Sequence, residues 1–308
     1  MSGKEKLLIT GGLGNLGSWL SEYLSPKYDL YILSKNVKNE LSCQYRLIQA
    51  DITDINDLKI KLNMQFDYCI HSASYNEFFH ENYPSKALEI NALGTRNLVE
   101  ILKDTKIKNF IYLSTFHVYG SISGVINEDS SLSPKNDYAS THLFAEYYLN
   151  QFFYTHNFKS IIFRLTNSYG APKHINSSKW YLILNNLVKS AFEKKEIILK
   201  GDGSDVRDLI WMGDVCSIID KSLRIPLNDV FNLSSGKAYE MMEIAEKVKN
   251  IYEKRFKEKI EIVTKLANMN QSFDLNVDNS KLKKYINFEL KDNLDQEIIS
   301  IFKLLEEA

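Results

Sequence analysis

The chain has 308 residues, of which 38 are Lys or Arg and 39 are Asp or Glu, so its formal net charge is -1. This balance provides no extended basic surface for nucleic acid or an anionic membrane, and the length suits one large or two closely packed domains. The three cysteines lack CxxC spacing, and no apolar run reaches the roughly 18 residues of a membrane-spanning helix. We therefore expect a cytoplasmic protein without export signal or membrane anchor, and without bound nucleic acid or metal.

Short apolar runs alternate with longer segments of helical periodicity through the first half of the chain. The predicted strands, each buried on both faces, are 7–10, 29–34, 45–51, 68–73, 109–115 and 160–167. Helical segments fill the gaps, and the clearest runs from about Pro84 to Lys103. This alternation predicts an α/β fold with a doubly wound parallel sheet.

The alternation loosens after Asn167. Two short strands, 197–200 and 208–212, are predicted there among three or four helices, and no low-complexity linker separates the two halves. We expect a first domain over 1–167 and a smaller mixed α/β domain over 168–308, with part of 208–236 returning to the first. Such domains pack around a cleft, where ligands usually bind.

A glycine-rich loop directly follows the first predicted strand and opens an apolar helix. It consists of Thr10-Gly11-Gly12-Leu13-Gly14-Asn15-Leu16-Gly17. Gly11 allows a tight turn, Gly14 lets the backbone approach a pyrophosphate, and Gly17 lets helix and strand pack closely. The helix N-terminus supplies N–H groups and a partial positive charge. This context favours a dinucleotide-binding loop over a merely structural turn.

Further motifs follow in a consistent order. They are Asp51-Ile52, His71-Ser72-Ala73-Ser74, Asn91-x-x-Gly94-Thr95-x-Asn97-Leu98, Ser114-Thr115-x-x-Val118-Tyr119-Gly120, Arg164-x-x-Asn167-x-Tyr169-Gly170 and Gly201-Asp202-Gly203-x-x-x-Arg207-Asp208. With the glycine loop, they make nearly the whole chain resemble the extended short-chain dehydrogenase/reductases of the nucleotide-sugar epimerase and dehydratase group. The resemblance implies a Rossmann-type NAD-binding domain over 1–167 and a nucleotide-sugar-binding domain over 168–308. It also implies a homodimer formed by the helices near 84–103 and 138–153.

The resemblance assigns the cofactor site to residues at the strand ends and on one helix. These are Gly11, Gly14, Asn15, Leu16, Gly17, Ser34, Lys35, Asp51, Ile52, Ser72, Ala73, Ser74, Asn91, Tyr138 and His142. Asp51 and Ile52 would flank the adenine, and Ser72 and Ala73 would line the phosphates and ribose, although turn chemistry at strand ends would also explain both pairs. NAD-specific relatives carry an acidic residue where this chain has Ser34-Lys35, and Lys35 could attract a 2′-phosphate. We expect NAD as the cofactor and leave NADP open.

The same resemblance identifies the residues for hydride chemistry. Thr115 matches the hydroxyl that orients a substrate alcohol and Tyr138 matches the general acid/base, but His142 stands where a lysine is expected. Positions 138 and 142 share one helix face. Because a tyrosine has an ordinary pKa of about 10 and a histidine is mostly neutral at pH 7, we expect a slow or alkaline-shifted enzyme. An inactive protein, with His142 an ordinary helix-surface residue, is the alternative.

The residue pair after Thr115 helps to sort the reaction. In 4,6-dehydratases of the group the hydroxyl residue is followed by Asp-Glu, whereas this chain has Phe116-His117, which disfavours dehydration. His117 could protonate the sugar, hydrogen-bond it, or be a packed histidine. These three interpretations remain open.

Two residues of the second half match contacts to a substrate diphosphate. They are Asn167 and Arg207, and a guanidinium fork suits a diphosphate. A surface ion pair of Arg207 with Asp205 or Asp208 is the alternative. A second family arginine, expected near 272–276, is missing.

The resemblance therefore implies an enzyme that uses NAD to oxidise C4 of a nucleotide-activated sugar to a 4-keto sugar. We expect a 4-dehydrogenase, with a GDP-heptose for surface polysaccharide synthesis as one candidate substrate. A nucleotide-sugar 4-epimerase is the alternative, and a non-catalytic NAD(P)-binding regulator is a further one.

Overall fold

The structure is a computed structural model that describes residues 3–36, 44–76, 83–121, 123–173, 175, 179–264 and 274–307. Cys43 and positions 272–273 lie outside these residues. The chain forms two compact units. The first comprises Met1–Gly120, Ser130–Leu165 and Cys216–Phe231, and the second comprises Ser121–Asp129, Thr166–Val215 and Asn232–Ala308. Cys216–Phe231 falls within 208–236, part of which is expected to return to the first domain, whereas Ser121–Asp129 belongs to the second unit. The functions of the two domains stay predictions.

The described residues contain strands and helices in alternation. The strands are β1 (Lys6–Thr10), β2 (Asp29–Ser34), β3 (Arg46–Gln49), β4 (Tyr68–His71), β5 (Asn109–Thr115), β6 (Gly124–Ile126), β7 (Ser160–Leu165), β8 (Asn167–Tyr169), β9 (Glu196–Leu199), β10 (Val206–Trp211), β11 (Asp229–Leu233), β12 (Ala238–Glu240), β13 (Glu261–Thr264) and β14 (Leu275–Val277). The helices are α1 (Asn15–Leu24), α2 (Ile55–Lys61), α3 (Pro84–Ala87), α4 (Gly94–Leu102), α5 (Asp137–His156), α6 (Ile183–Lys194), α7 (Met212–Ser222), α8 (Met241–Phe256), α9 (Ser280–Tyr285) and α10 (Leu294–Glu306).

A seven-stranded sheet in the order β11-β7-β5-β4-β1-β2-β3 forms the centre of the first unit. The pairs from β7 across to β3 are parallel, with Thr10 opposite Leu33 on one side and His71 on the other. The predicted doubly wound parallel sheet is confirmed. Its strand order reverses between β1 and β4, and the carboxyl ends of strands at such a reversal are the usual ligand site.

Helices cover this sheet because its strands alternate buried apolar side chains toward both faces. Helix α1 contacts β1 and β2. On one face, α2, α4 and α5 contribute Leu58, Leu98 and Leu149 to a core that includes Leu8 and Phe110 of the strands. This core holds α5 firmly against the middle of the sheet.

The predicted helix from about Pro84 to Lys103 is confirmed, but it is not a regular α-helix throughout. Between α3 and α4, residues Leu88–Leu93 form a π-helix, whose wider turn inserts one extra residue and is frequent at functional sites. Asn91 lies in this π-helix with its side chain buried. The amide therefore makes contacts that apolar periodicity alone could not indicate.

The predicted strand 160–167 is also wrong at its end. It stops at Leu165, because the Thr166 hydroxyl donates to Asp208 Oδ1 at 2.6 Å and the next residues, β8, pair with β10 instead. The predicted strand thus corresponds to β7 and the start of β8, which belong to two different sheets. The redirection occurs where the second unit begins.

The residues of the second unit that the structure describes form three small sheets, β12-β10-β8, β13-β9 and β14-β6. Helices α6, α8 and α10 pack on one another around a core that includes Leu187, Val188, Ile244, Val248 and Ile298. Across the described part of the chain, no helix combines the length and the apolar character that crossing a membrane requires.

Candidate functional site

The glycine loop after β1 has the conformation that its composition requires. Gly11 adopts φ +70°, and a Cβ on it would stand 2.7 Å from the backbone nitrogen of Ala73. A Cβ on Gly17 would overlap the carbonyl oxygen of Gly11. The loop therefore packs against β4 on one side and against α1 on the other, and only glycine fits at both contacts.

Gly14 lies at the start of α1 and has a different environment. Apart from chain neighbours, the one described atom within 4 Å of a Cβ on Gly14 would be the Gly11 carbonyl oxygen, at 3.2 Å. No side chain caps the helix at Gly14, and first-turn N–H groups, here those of Leu16 and Gly17, lack intrahelical partners by geometry. This uncapped helix start, with Gly14 exposed, suits an anion such as a pyrophosphate.

The carboxyl end of β4 is tied to β1 by a buried hydrogen-bond chain. Ser72 donates through Oγ to the Thr10 carbonyl oxygen at 2.7 Å, and the His71 ring nitrogens lie 2.5 Å from Thr10 Oγ1 and 2.8 Å from Thr95 Oγ1. Burial lowers the pKa of His71 to about 3. His71 is thus a neutral structural link that places Ser72 and Ala73 beside the glycine loop. Ser74 follows them and is exposed.

Asn91 fixes the backbone beyond Ser74. Its Oδ1 accepts from the Tyr75 backbone N–H at 2.7 Å, and its Nδ2 donates to the Tyr75 carbonyl oxygen at 2.8 Å and to Thr141 Oγ1 at 3.0 Å. These contacts join the segment after β4 to α5. They make Asn91 a positioning residue, and its contact with a cofactor stays a prediction.

Lys35 and Asp51 lie at the carboxyl ends of β2 and β3 and form an ion pair of 2.5 Å. Thr53 donates to the other carboxylate oxygen through its N–H and its hydroxyl. Burial opposes ionisation of Asp51, but Lys35 and Thr53 outweigh it and lower its pKa. Asp51 therefore partly neutralises Lys35. Ser34 contacts the Asn36 backbone.

Ile52 is buried in the core that α4 shares with the sheet. A Cβ on Gly94 would stand 2.9 Å from its Cγ2 atom, so Gly94 is needed for α4 to pack there. Contact of Ile52 or Asp51 with an adenine stays a prediction.

Tyr138 and His142 meet on one face of α5, as the spacing predicts. Their ring centroids are 4.5 Å apart in an edge-to-face arrangement, and the Tyr138 ring lies 6.4 Å from that of His117. Tyr138 is half-buried, whereas His142 is only 2% exposed. His142 is therefore not a surface residue of the helix.

Tyr112 of β5, which sequence reasoning missed, is the buried partner of His142. Its hydroxyl oxygen lies 2.6 Å from His142 Nδ1, while His142 Nε2 is buried and has no hydrogen-bond partner among the described residues. Burial, with smaller contributions from His71 and His117, lowers the pKa of His142 to about 3. The ring is therefore neutral at pH 7 and cannot supply the charge of a lysine.

Thr115 ends β5 and is buried, and its Oγ1 accepts from the His117 backbone N–H at 3.3 Å. This contact caps the short 3-10 turn Phe116–Tyr119, which carries His117 on its exposed side. The turn brings His117 toward Tyr138. The contact of Thr115 with a substrate hydroxyl stays a prediction.

Arg164 of β7, part of a sequence motif, makes a buried structural ion pair. Its guanidinium contacts both carboxylate oxygens of Glu146 and donates to the Tyr119 hydroxyl at 3.1 Å. Ser114 Oγ donates to the same carboxylate. Burial opposes the charge of Arg164, but Glu146 outweighs it and raises the arginine pKa.

Asn167 and Arg207 both belong to the second unit, on the paired strands β8 and β10. Asn167 Nδ2 donates to the Asp208 carbonyl oxygen at 3.3 Å. Arg207 donates to its neighbour's carbonyl and lies 3.7 Å from an Asp205 carboxylate oxygen. This ion pair is the alternative that the sequence left open, and it leaves the guanidinium accessible. Diphosphate binding by the two residues stays a prediction.

These residues fit a bound dinucleotide in the first unit. The glycine loop lies at the strand-order reversal, with an uncapped helix start at the exposed Gly14. His142 Nε2 is a buried polar atom that needs a partner. No group of three or more metal-ligating side chains occurs in the residues that the structure describes.

Comparison with known proteins agrees with this chemistry. The family model for the NAD dependent epimerase/dehydratase family matches residues 7–234. The chain is 31% identical over 283 residues to the dTDP-D-glucose 4,6-dehydratase of Dictyostelium discoideum, covering 80% of this chain and 62% of that protein. It is 26% identical over 252 residues to a putative UDP-glucose 4-epimerase of Methanocaldococcus jannaschii, covering 79% and 81%.

Solved structures show the same fold. The UDP-N-acetylglucosamine 4-epimerase from Methanobrevibacter ruminantium matches with a TM-score of 0.85 at 21% identity, covering 100% of this chain and 99% of that one. The dTDP-glucose 4,6-dehydratase from Bacillus anthracis, solved in complex with NAD, matches with a TM-score of 0.80 at 22% identity, covering 99% and 97%.

The parallel sheet and its glycine loop define a Rossmann-type α/β protein. Because the family model spans most of the chain, the chain belongs to the NAD dependent epimerase/dehydratase family. It is accordingly an enzyme whose cofactor is NAD. The family resemblance predicted from the motifs is confirmed.

Proposed function

We propose that the chain is a 4-dehydrogenase that oxidises C4 of a nucleotide-activated sugar to a ketone. The observation that carries the proposal is the pairing of Tyr138 with the buried His142 on α5, one turn apart and 4.5 Å between ring centroids. A proton acceptor and a hydrogen-bonding group for the cofactor thus lie side by side. The Thr115 turn supplies a third polar residue near the end of β5.

Each side chain has one role in this proposal. Thr115 orients the C4 hydroxyl, the oxygen of Tyr138 takes the hydroxyl proton, and His142 Nε2 binds a ribose hydroxyl of the nicotinamide nucleotide. The glycine loop and His142 would hold NAD, which would supply the acceptor for the hydride from C4. Since His142 is neutral, it can position the cofactor ribose but cannot stabilise a tyrosinate at Tyr138 by charge. This supports a slow or alkaline-shifted reaction.

The 3-10 turn argues against dehydration of the keto sugar. Elimination across C5 and C6 needs an acid and a base, whereas Phe116 is buried against Tyr119 and His117 is the one titratable side chain between them. The Dictyostelium relative is named a dehydratase, but the carboxyl pair expected after Thr115 in such enzymes is absent from this sequence. We therefore propose that the reaction stops at C4.

A nucleotide-sugar 4-epimerase is the second candidate. The Methanocaldococcus relative carries that name, and the two reactions share the first oxidation. They differ in whether the hydride returns to the opposite face of the sugar ring. A non-catalytic regulator would bind NAD and perform neither reaction.

Arg207 and Asn167 support a nucleotide diphosphate as the activating group. They lie on adjacent strands. The Arg207 side chain is about one third exposed, and its guanidinium lies 3.7 Å from a carboxylate oxygen of Asp205. A diphosphate can replace such a weak surface pair with a charge-assisted, bidentate contact. GDP-heptose is one candidate for the sugar nucleotide.

The test is to add a panel of UDP-, dTDP- and GDP-sugars, including GDP-heptoses, to the purified protein with NAD. Accumulation of reduced nicotinamide with a keto-sugar product is expected. A C4-inverted sugar without net reduction would establish the epimerase instead. NAD binding with no turnover of any substrate in the panel would support the regulator and contradict the enzyme proposals.

We also propose that the chain forms a homodimer through α5 and the π-helix. Both present apolar side chains to solvent, with Leu88 50%, Leu93 42%, Phe144 52%, Tyr147 56% and Tyr154 77% exposed. The two elements pack together, so these side chains belong to one surface of the first unit. Sedimentation of Phe144→Glu with Tyr147→Glu should give a monomer, and an unchanged mass would contradict this surface.

A further inference from the structure

Tyr112 and His142 form a pair that depends on the register of β5 against α5. Tyr112 is 1% exposed, His142 is 2% exposed, and the hydroxyl oxygen lies 2.6 Å from Nδ1. The contact joins the middle of a central strand to a helix that the core holds in place. Neither side chain can turn away without leaving a buried polar atom unpaired.

The direction of this hydrogen bond follows from the chemistry of the two groups. Burial lowers the pKa of His142 and raises that of Tyr112, so both are neutral. A phenolic O–H is a stronger acid than the N–H of a neutral imidazole, and a bare imidazole nitrogen is a stronger base than a phenol oxygen. Thr95 is a second hydrogen-bond partner of the Tyr112 hydroxyl. With the phenol as donor to Nδ1, its oxygen accepts from Thr95 and the ring hydrogen of His142 stays on Nε2.

We propose that Tyr112 is a positioning residue, which holds His142 in the tautomer with hydrogen on Nε2 and so makes Nε2 a donor to a ligand oxygen. The Nε2 atom is buried and has no partner within the described residues. Its ring lies beside that of Tyr138, one helical turn earlier. A buried donor without an acceptor is unfavourable, so a ligand that supplies one binds more tightly. The identity of that ligand oxygen, a ribose hydroxyl of NAD, rests on the proposed function.

The role differs from that of a lysine at the same position. An ammonium group carries three hydrogens and needs no neighbour to select its donor, whereas a neutral imidazole has one hydrogen and two nitrogens that compete for it. Tyr112 is thus required because His142, and not a lysine, follows Tyr138 by one turn. The dependence can be measured as a coupling between the two positions.

The first measurement is the tautomer of His142 in the ligand-free protein, by nitrogen NMR with histidine labelled and His142→Gln used for assignment. Hydrogen on Nε2 is expected in the parent. In Tyr112→Phe the hydrogen should redistribute between both nitrogens. Tyr68→Phe is the matched control, since Tyr68 is also a buried tyrosine of this sheet but donates to Glu5 instead.

The second measurement is NAD affinity by calorimetry. Tyr112→Phe should weaken it about three- to tenfold, the value of one lost hydrogen bond, while Tyr68→Phe leaves it unchanged. In a His142→Lys background the same Tyr112→Phe change should alter affinity by less than about twofold. A loss of affinity equal in both backgrounds would show a merely structural role and overturn the proposal.

Hydrogen on Nδ1 in the parent protein would overturn it as well, and that observation does not require any variant to fold. The tautomer is read without ligand and NAD affinity without sugar. Failure of every nucleotide sugar would therefore reject the proposed function and leave this inference standing, whereas an unchanged tautomer in Tyr112→Phe would reject this inference alone.

Discussion

Two of the buried polar side chains of α5, His142 and Glu146, lie one turn apart and differ in how their polar atoms are hydrogen-bonded. Glu146 has both carboxylate oxygens occupied, by Arg164 and by the Ser114 hydroxyl at 2.5 Å. His142 has Nδ1 occupied by Tyr112, and Nε2 without a partner in the described part of the chain. The partners from β5, Tyr112 and Ser114, are two residues apart and so lie on the same face of the strand. Two residues along a strand span about the same length as the four residues from His142 to Glu146 along the helix.

The comparison separates structure from function on a single helix. A buried polar group that serves the fold is satisfied internally, because an unpaired one would destabilise the native state. A buried polar atom left open in a well-packed site is a candidate for a ligand contact. By this criterion the Glu146 turn is structural, and the turn of Tyr138 and His142 is a candidate for a ligand contact.

The largest expected effect is a loss of activity on substitution at the turn of Tyr138 and His142. Tyr138→Phe removes the proton acceptor and should lower kcat by about 10²- to 10⁴-fold, while NAD affinity and unfolding free energy change little. Reduced-nicotinamide absorbance measures the rate. Tyr285→Phe, at an exposed tyrosine of the second unit, is the control. Parental activity in Tyr138→Phe would remove Tyr138 from the catalytic site.

At the turn of Glu146, substitutions should lower the free energy of unfolding. Arg164→Ala leaves the Glu146 carboxylate buried without its counter-charge and should lower the unfolding free energy by about 3 to 5 kcal/mol, measured by denaturant titration. Replacing both charges, as Arg164→Met with Glu146→Leu, should recover most of that loss. A single variant that loses less than about 1 kcal/mol would contradict a structural role for the pair.

The pH dependence of stability tests the buried histidines. His71 and His142 have pKa values of about 3 in the folded protein, lowered by burial, against about 6.5 when unfolded. Below pH 6.5 the unfolded chain binds more protons, so the unfolding free energy falls as the pH falls. The expected slope from pH 6 to 4.5 is up to about 1.4 kcal/mol per pH unit for each histidine.

His142→Gln should remove one histidine's share of this slope. If His142→Gln leaves the slope unchanged, then His142 is protonated in the folded state at mildly acidic pH, and it cannot be the neutral donor inferred above.

The smallest effect is expected at the exposed pair of Lys35 and Asp51. Asp51→Asn keeps an oxygen for Thr53 but releases Lys35, so affinity for NADP should rise about two- to fivefold relative to NAD. Stability should change by less than about 1 kcal/mol, as is usual for surface ion pairs. Calorimetry with both nucleotides measures the ratio. Lys35→Ala in the same background should cancel the gain, and an unaltered ratio would place the pair away from the ribose.

Sequence reasoning located the first unit well, because its evidence is local. Strand limits at 29–34 and 109–115 agree with β2 and β5, and the glycine loop and the spacing from Tyr138 to His142 depend on contiguous residues. The π-helix around Asn91 and the redirection at Thr166 were missed, since each is decided by side-chain contacts with distant segments. The short strands of the second unit lack a strong periodic signal for the same reason.

The amino-acid sequence alone determined the parallel α/β fold, the dinucleotide loop, the family and the absence of the expected lysine at position 142. These follow from patterns that neighbouring residues share. Only the tertiary structure showed that His142 is buried, that Tyr112 occupies one of its nitrogens, and that Arg164 serves Glu146. The first two facts depend on the register of β5 against a helix about 30 positions later, and the third on a strand that follows Glu146 by 18 positions. Packing brings together side chains that chain order keeps apart.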